Sequence, residues 1–226
     1  MKVVNKLREL YNYSTPIDTI QCDTVDYKIF KDYPLTRFCN SKELLSHIPV
    51  GDDSRIDAFC GFVNENPYFW MIPLTTTNSD EFYGFVIKSY HQKQYRNVFC
   101  ENNICSFIGF NNFSDYNGQP IVLCEGSKDF ITINKFYKYT LGCLTCGLGL
   151  DDIKAVTKLT KTILLCYDND KPGLKAKERD RERLIKEGCR VIVPYYVGKD
   201  PGDCYFNPTS FQILQNSVLN TLNSLV

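Results

Sequence analysis

Histidine is almost missing from this chain: among 226 residues there are two, His47 and His91, each alone in its stretch of sequence. Structural zinc sites that use nitrogen ligands take them from closely spaced histidines, so that part of the usual ligand set is not there. Cysteine does not replace it. Of eleven cysteines only Cys143 and Cys146 stand in C-x-x-C spacing, and a zinc site needs a second such pair. No zinc is expected. Net charge is missing as well, with 26 basic side chains against 26 acidic ones, so nucleic acid would be bound through a local basic patch and not a global field. No apolar run approaches the ~18 residues that suggest a membrane span, and no signal peptide is read. The expectation is a soluble chain of a reducing, cytoplasmic compartment, with free thiols and no membrane partner.

What is present suits a folded protein. Hydrophobic residues make up 43% and charged residues 23%, enough for one generous core or two small ones. Cys124, Cys166 and Cys189 lie in or beside apolar runs, where cysteine behaves as a small hydrophobe. Cys143 and Cys146 fall in the glycine-rich stretch Gly142 to Gly149, which reads as a tight turn before it reads as a redox site. There is no internal repeat and no low-complexity tract.

Taken in order, Val3, Val4, Leu7, Leu10 and Tyr11 form a helical stripe that Ser14-Thr15-Pro16 stops. A second helix is expected over Ser41 to His47, with Ser41 as its N-cap and Pro49 beyond its end. Aromatic and β-branched residues then predict a hairpin, Tyr68 to Leu74 and Glu81 to Tyr90 around a polar turn at Thr75 to Asp80. Two further strands are expected at Gln94 to Cys100 and Ile104 to Phe110, and the polar stretch Asn111 to Gln119 is the best domain boundary.

Beyond it the pattern changes to strand-helix alternation. Strands are predicted at Ile121 to Cys124, at a segment ending at Leu141, at Thr162 to Tyr167 and at Arg190 to Pro194. Helices are predicted near Lys128 to Tyr139, at Ile153 to Leu159 capped by Asp151 or Asp152, and at Leu174 to Glu187 between Gly173 and Gly188. Short connections of this kind argue an α/β fold, a parallel sheet flanked by helices, preceded by a smaller α+β subdomain. The domains are read as 1–118, 119–204 and a C-terminal helical tail, 205–226, in which Phe211, Leu214, Val218, Leu222 and Leu225 keep helical spacing.

The chemistry gathers at strand ends. Ile-Val-Leu-Cys runs into Glu125, Thr-Ile-Leu-Leu-Cys-Tyr into Asp168-Asn169-Asp170, and Arg-Val-Ile-Val-Pro precedes Asp200 and Asp203. Carboxyl ends of parallel strands share one rim of the sheet, where α/β folds hold ligands. A rim of acids suits a hard divalent cation, Mg²⁺ or Mn²⁺, which takes oxygen ligands and substrate phosphates. Two ions are expected, with Glu125 as a ligand or as a general acid or base in phosphoryl transfer. Any one of these acids, taken singly, reads more plainly as a helix cap or a solvated group; three sets in order, each after a strand, reverse that balance.

Basic residues offer a second layer. From Lys171 to Arg190 there are eight (Lys171, Lys175, Lys177, Arg179, Arg181, Arg183, Lys186, Arg190) against four acids. Lys171 and Lys175, nearest the acids, are placed to meet phosphate, and the later ones read as a solvated face with local ion pairs. In the hairpin region Lys88, Lys93 and Arg96, interleaved with Tyr90 and Tyr95, could grip phosphates and stack bases; the solvated side of a half-buried sheet is the plainer reading.

The run Glu125-Gly126 with Asp129, then Asp168-Asn169-Asp170 with Gly173 and Ala176, then Lys199-Asp200-Pro201-Gly202-Asp203-Cys204 closely resembles a Toprim domain. The details are similar to DnaG-type primases and the primase part of phage primase-helicases. More loosely, Met71 to Leu74, Gly84-Phe85 with Lys88, Gln94 to Asn97 and Ile108 to Phe110 resemble the amino-terminal half of a primase RNA-polymerase core. The resemblance implies a Toprim-like sheet and a DNA primase that makes RNA primers on single-stranded DNA from NTPs. It implies Glu125, Asp168 and Asp170 as catalytic, the same three with Asp200 and Asp203 as metal ligands, and Lys88, Tyr95, Arg96, Lys128, Lys171 and Lys175 toward nucleotide or template. Lys88 stands where the family has arginine, and Gln94 where lysine is common. A zinc-binding template reader and a helicase, usual in such primases, would come from separate partners, and by analogy a phage or plasmid source in a bacterial cytoplasm fits. The alternatives are a Toprim nuclease using the same acids and a non-catalytic replication-associated binding module.

Overall fold

The computed structural model describes residues 2–20, 25–47, 54–77, 81–99 and 107–225. The chain forms two compact units, residues 1–103 and 104–226.

The first unit is built on an antiparallel sheet of β1 (Thr15–Pro16), β2 (Arg37–Asn40), β3 (Tyr68–Thr75), β4 (Phe82–Ser89) and β5 (Tyr95–Phe99), in that spatial order. The predicted hairpin is β3–β4, with Trp70 opposite Lys88 and Ile72 opposite Val86; of its turn, residues 78–80 lie outside the described ones. Every residue of β3 after Tyr68 is buried, so the sheet is covered on both sides at this strand and solvated only toward its edge strands β1 and β5. On one side Phe69, Met71, Phe85 and Ile87 join Leu7 and Leu10 of α1 (Lys2–Tyr13), Leu44 of α3 (Ser41–Ser46) and Phe62 of α4 (Ser54–Asn64) in one core. On the other, Trp70 packs against Tyr27 and Phe30 of α2 (Val25–Phe30), with ring centroids 6.2 and 6.1 Å away. Burying each such side chain is worth about 2 kcal/mol, and α2 accounts for the difference from the sequence reading.

The cap of α3 also differs. Asn40, not Ser41, is the N-cap: its side chain accepts the Glu43 N–H at 2.9 Å while Glu43 accepts the Asn40 N–H at 3.1 Å, the reciprocal pair that satisfies two otherwise orphaned donors. Pro49 lies outside the described residues.

In the second unit β6 (Ile121–Cys124), β7 (Thr140–Gly142), β8 (Thr162–Cys166) and β9 (Arg190–Ile192) form a parallel sheet in the order β7-β6-β8-β9. The inner strands β6 and β8 are the uninterrupted apolar runs, and β6 is buried throughout, as strands covered on both faces must be. Leu123, Leu141, Ile163, Leu165 and Tyr167 are among the core residues, with Val156 of α6 (Leu150–Leu159) and Leu184 of α7 (Lys171–Lys186). Helix α5 (Ser127–Asn134) ends before the predicted Tyr139. Asp152 closes the start of α6 from inside the helix, accepting the Gly149 N–H at 2.8 Å. Helix α7 begins ahead of the predicted Leu174, because Asp170 is its N-cap and accepts the Gly173 N–H at 3.0 Å. The tail is helical as expected, α9 (Pro208–Asn223), with Leu214, Val218 and Leu222 buried.

The units divide earlier than the polar stretch at 111–119. Ile108 exchanges both backbone hydrogen bonds with Gly142, at 2.9 and 3.1 Å, and Phe107 and Phe113 enter the second core. Of the strand predicted over 104–110, residues 104–106 lie outside the described ones, Ile108 makes this single bridge, and a 3₁₀ turn follows at Phe110–Phe113. Among the described residues no helix is long and apolar enough to cross a membrane.

Candidate metal centre

Cys124 and Cys166 are register partners in the parallel pair β6–β8, so the residues that follow, Glu125 and Asp168, emerge at the same rim. The Asp168 N–H donates to Glu125 Oε1 at 3.2 Å. Burial, with the nearby Asp168 charge, pushes Glu125 up to about 7, and burial with Asp200 pushes Asp168 up to about 6. Both shifts mark carboxylates held close together away from water.

The third member of the cluster is Asp129, on the first turn of α5. One of its oxygens accepts the Gly126 N–H at 2.8 Å and the other the Gly202 N–H at 2.9 Å. Burial and the charges of Asp200 and Asp168 raise it to about 7 even against those two donors. Asp200 arrives from the loop after β9 as the N-cap of the short helix α8 (Pro201–Cys204), accepting the Asp203 N–H at 2.7 Å, and burial raises its pKa too. One oxygen each from Asp129, Asp168 and Asp200 lies within 4.8 Å of the others. Three crowded, partly desolvated carboxylates are the donor set a hard divalent cation takes, and such an ion would relieve the repulsion that raises their pKa values.

Asp170 and Asp203 are placed differently. Asp170 caps α7, and Lys199 Nζ lies 3.4 Å from it and 3.8 Å from Asp168; the Gly173 N–H at its carboxylate, as first cause, lowers its pKa. Asp203 is exposed, one helical turn from Asp200. The five acids expected as ligands are therefore not one cluster: Asp168 and Asp200 meet with Asp129, Glu125 adjoins Asp168, and Asp170 and Asp203 sit at the edge. Asp129 lay in the motif, but its spacing from Gly126 reads first as a helix-start device.

Two lysines missed by the sequence reading belong here. Lys199 spans Asp168 and Asp170. Lys177, 8% exposed, projects from α7 and donates to Asn169 Oδ1 at 3.1 Å; burial lowers its pKa while Cys166, Glu125 and Asp168 oppose the shift. Of the lysines expected to meet phosphate, Lys128 is half-buried on α5, and Lys171 and Lys175 are exposed on the first turns of α7.

The later basic residues of α7 are not merely a solvated face. Asp180, fully buried, accepts the Leu148 N–H at 2.6 Å and the Tyr167 hydroxyl at 3.3 Å. Arg179 donates to Asp180 at 2.9 Å and to the Cys146 carbonyl at 3.1 Å, and Arg183 to the Leu148 carbonyl at 3.2 Å. Together they clamp the glycine-rich loop onto α7, where Gly147 adopts φ +92°. The Cys143 thiol is buried beside the Tyr167 hydroxyl while Cys146 is exposed, consistent with a turn.

In the first unit, Lys88 forms an ion pair with Asp26 at 2.9 Å, its side chain 9% exposed; its charge is already matched inside the unit. Tyr95 and Arg96 are exposed on the edge strand β5, and the Arg96 guanidinium lies 5.0 Å from the Phe62 ring centroid.

Residues 122–205 match a family of Toprim-like domains. No curated protein matches the chain by sequence. Among solved structures, the zinc-binding and RNA polymerase domains of the Aquifex aeolicus primase are similar at TM-score 0.69 and 15% identity, over 97% of this chain and 60% of that one. The chain thus spans less than two thirds of the length of that solved chain. A DnaG primase catalytic domain bound to single-stranded DNA is similar at TM-score 0.62 and 15% identity, over 100% of this chain and 83% of that one. The primase fragment of the bacteriophage T7 primase-helicase is similar at TM-score 0.54 and 17% identity, over 67% and 63%. The acid rim therefore lies within the stretch that matches Toprim-like domains, in a chain whose fold is similar to that of primase catalytic cores.

Proposed function

We propose that the chain is a DNA primase catalytic core that joins nucleotides into short RNA primers on single-stranded DNA. The observation that carries the reading is the meeting of Asp129, Asp168 and Asp200 within 4.8 Å, beside Glu125, at the carboxyl ends of β6 and β8 in a primase-core fold. Asp129, Asp168 and Asp200 would hold Mg²⁺ or Mn²⁺, with Asp170, Asp203 and Glu125 beside them and room in this reading for two ions. Such ions, when bound, neutralise phosphate charge and orient the triphosphate.

The chain's own groups supply the rest. In the joining step a 3′-hydroxyl oxygen bonds to the α-phosphorus of an incoming nucleoside triphosphate, the α–β bridging P–O bond breaks, and pyrophosphate leaves. Glu125, with its pKa near 7, is matched to receive the hydroxyl proton. Lys128, Lys171 and Lys175 would meet the departing phosphates, and Tyr95 and Arg96 would offer a stacking and charged edge for template. A helicase and a zinc-binding template reader are inferred to work with this core; the similar A. aeolicus structure carries a zinc-binding domain and the T7 fragment comes from a primase-helicase.

Dinucleotide synthesis on single-stranded DNA with Mg²⁺ or Mn²⁺ tests the reading. The double variant Asp168→Ala, Asp170→Ala should abolish it while leaving the circular dichroism spectrum unchanged; retained synthesis would sink the assignment. Metal-dependent cleavage of labelled nucleic acid without nucleotides would instead place the chain among Toprim nucleases.

A further inference from the structure

Asn169, between the two acids of the Asp-x-Asp motif, is bonded on three sides. Its backbone N–H donates to the Lys199 carbonyl at 2.6 Å, its Nδ2 to the Gly198 carbonyl at 3.0 Å, and its Oδ1 accepts from Lys177 at 3.1 Å. The loop thus gripped is the one that delivers Asp200. Gly198 adopts φ +129°, and Asp200 follows two residues later, so the grip lies immediately ahead of the ligand. Other ties hold the same loop: the Tyr196 hydroxyl on the Tyr167 carbonyl at 2.6 Å, the Gly202 N–H on Asp129 at 2.9 Å, the Cys204 thiol on the Val197 and Asp200 carbonyls at 3.1 and 3.7 Å, and the exposed Lys199 ammonium 3.4 Å from Asp170 and 3.8 Å from Asp168. Of these contacts, only those of Asn169 join the backbone of 198–199 to the Asp-x-Asp motif.

A lysine side chain as buried as that of Lys177 needs a partner for its charge, which a solvated helix face would not supply. Lys177, a donor, and the Gly198 carbonyl, an acceptor, together fix which way the Asn169 amide points. With its oxygen turned to Lys177, the amide presents NH₂ to Gly198; turned over, it would oppose a carbonyl to a carbonyl. We propose that Lys177 is a positioning residue of the metal centre, acting through Asn169 to hold the 198–200 loop, and with it Asp200, against Asp168. This rests on the metal reading above, and it assigns the buried cation a role distinct from phosphate binding.

The test uses the full chain and Mn²⁺ as probe, by calorimetric titration of wild type, Lys177→Met, Asn169→Ala, Asp200→Ala and the pair Lys177→Met, Asp200→Ala, each checked for folding by circular dichroism. Methionine keeps the unbranched stem and helix preference of lysine, one atom shorter and without the charge. Loss of a residue that orients a ligand weakens metal binding by about 10- to 100-fold, so Lys177→Met and Asn169→Ala should each lose about tenfold. In the Asp200→Ala background Lys177→Met should change the affinity little, because the ligand it positions is gone. In metal-free protein, hydrogen exchange at 198–203 should quicken in Lys177→Met. Tighter or unchanged Mn²⁺ binding by Lys177→Met, the same loss with and without Asp200, or unchanged exchange would each overturn the proposal. Wild-type protein that fails to bind Mn²⁺ would overturn the metal reading instead, and the exchange experiment would then decide the loop's tether by itself.

Discussion

The Asp168 amide donates to Glu125 Oε1 at 3.2 Å, a hydrogen bond across the ends of two neighbouring parallel strands. It fixes one carboxylate oxygen of Glu125 and brings a second acid, Asp168 itself, into the same partly buried space. Attraction to an N–H and repulsion from a like charge thus act on one side chain, and the repulsion, with burial, prevails: Glu125 stands at about 7.

Glu125→Gln separates the two effects. Glutamine keeps an acceptor for the Asp168 N–H and removes a charge from the rim. The metal-free variant should therefore melt at a higher temperature than wild type at pH 8, while primer synthesis falls by at least about 100-fold, the usual worth of a positioned proton acceptor. Scanning calorimetry in chelator and a dinucleotide assay check the two halves. A variant both less stable and fully active would refute the assignment.

The same groups set a pH dependence. Glu125 and Asp129 are raised to about 7 and Asp168 to about 6, all by burial first. An acid whose pKa is higher folded than unfolded binds more protons in the folded state between the two values, so stability falls as pH rises through that window. In chelator the melting temperature should drop between pH 5 and about 7.5. Mn²⁺, which favours the ionised forms, should raise it at pH 7.5 and have little effect at pH 5. A metal-free melting temperature that climbs over this range would contradict the clustered-acid geometry.

The strand-end acids were legible as a set and not singly: an acid after an apolar run in a parallel sheet leaves at the rim, and three such runs follow one another in order. Glu125, Asp168 and Asp200 could be read that way. Asp129 could not be separated from a helix-start residue, since it is both: its carboxylate holds the Gly126 N–H and also faces Asp200. Lys177 was hidden in a run of basic residues, where sequence does not say which one α7 turns inward. Lys88 sits on a strand face that α2 covers, and a helix as short as Val25–Phe30 leaves too little periodicity to announce itself.

Asp180 is the next position where burial decides. Removing its carboxylate takes the acceptor from the Leu148 N–H and the Tyr167 hydroxyl and leaves Arg179 without its carboxylate partner, with only the Cys146 carbonyl remaining. Asp180→Ala should lower the unfolding free energy by about 3 kcal/mol, as expected when a buried charged partner of several hydrogen bonds is lost. Asp180→Asn, which keeps one acceptor oxygen, should lose less. Urea denaturation of both variants measures the difference, and equal midpoints for wild type and Asp180→Ala would refute the clamp.

Gly173 shows how closely the metal motif depends on backbone space. A Cβ built there would lie 2.5 Å from the Asp168 carbonyl oxygen and 2.6 Å from the Asp168 Cβ, shorter than any relaxed contact. Helix propensity alone favours alanine in the first turn of α7 by about 1 kcal/mol, so a purely helical account predicts that Gly173→Ala stabilises. The geometry predicts the reverse at the site: Asp168 must shift, and with it the ligand set it forms with Asp129 and Asp200. Gly173→Ala should remain folded, lose at least about tenfold in Mn²⁺ affinity and lose primer synthesis in step. Titration calorimetry beside thermal melting distinguishes the two accounts, because only a displaced Asp168 lowers metal affinity in a chain whose helix is intact.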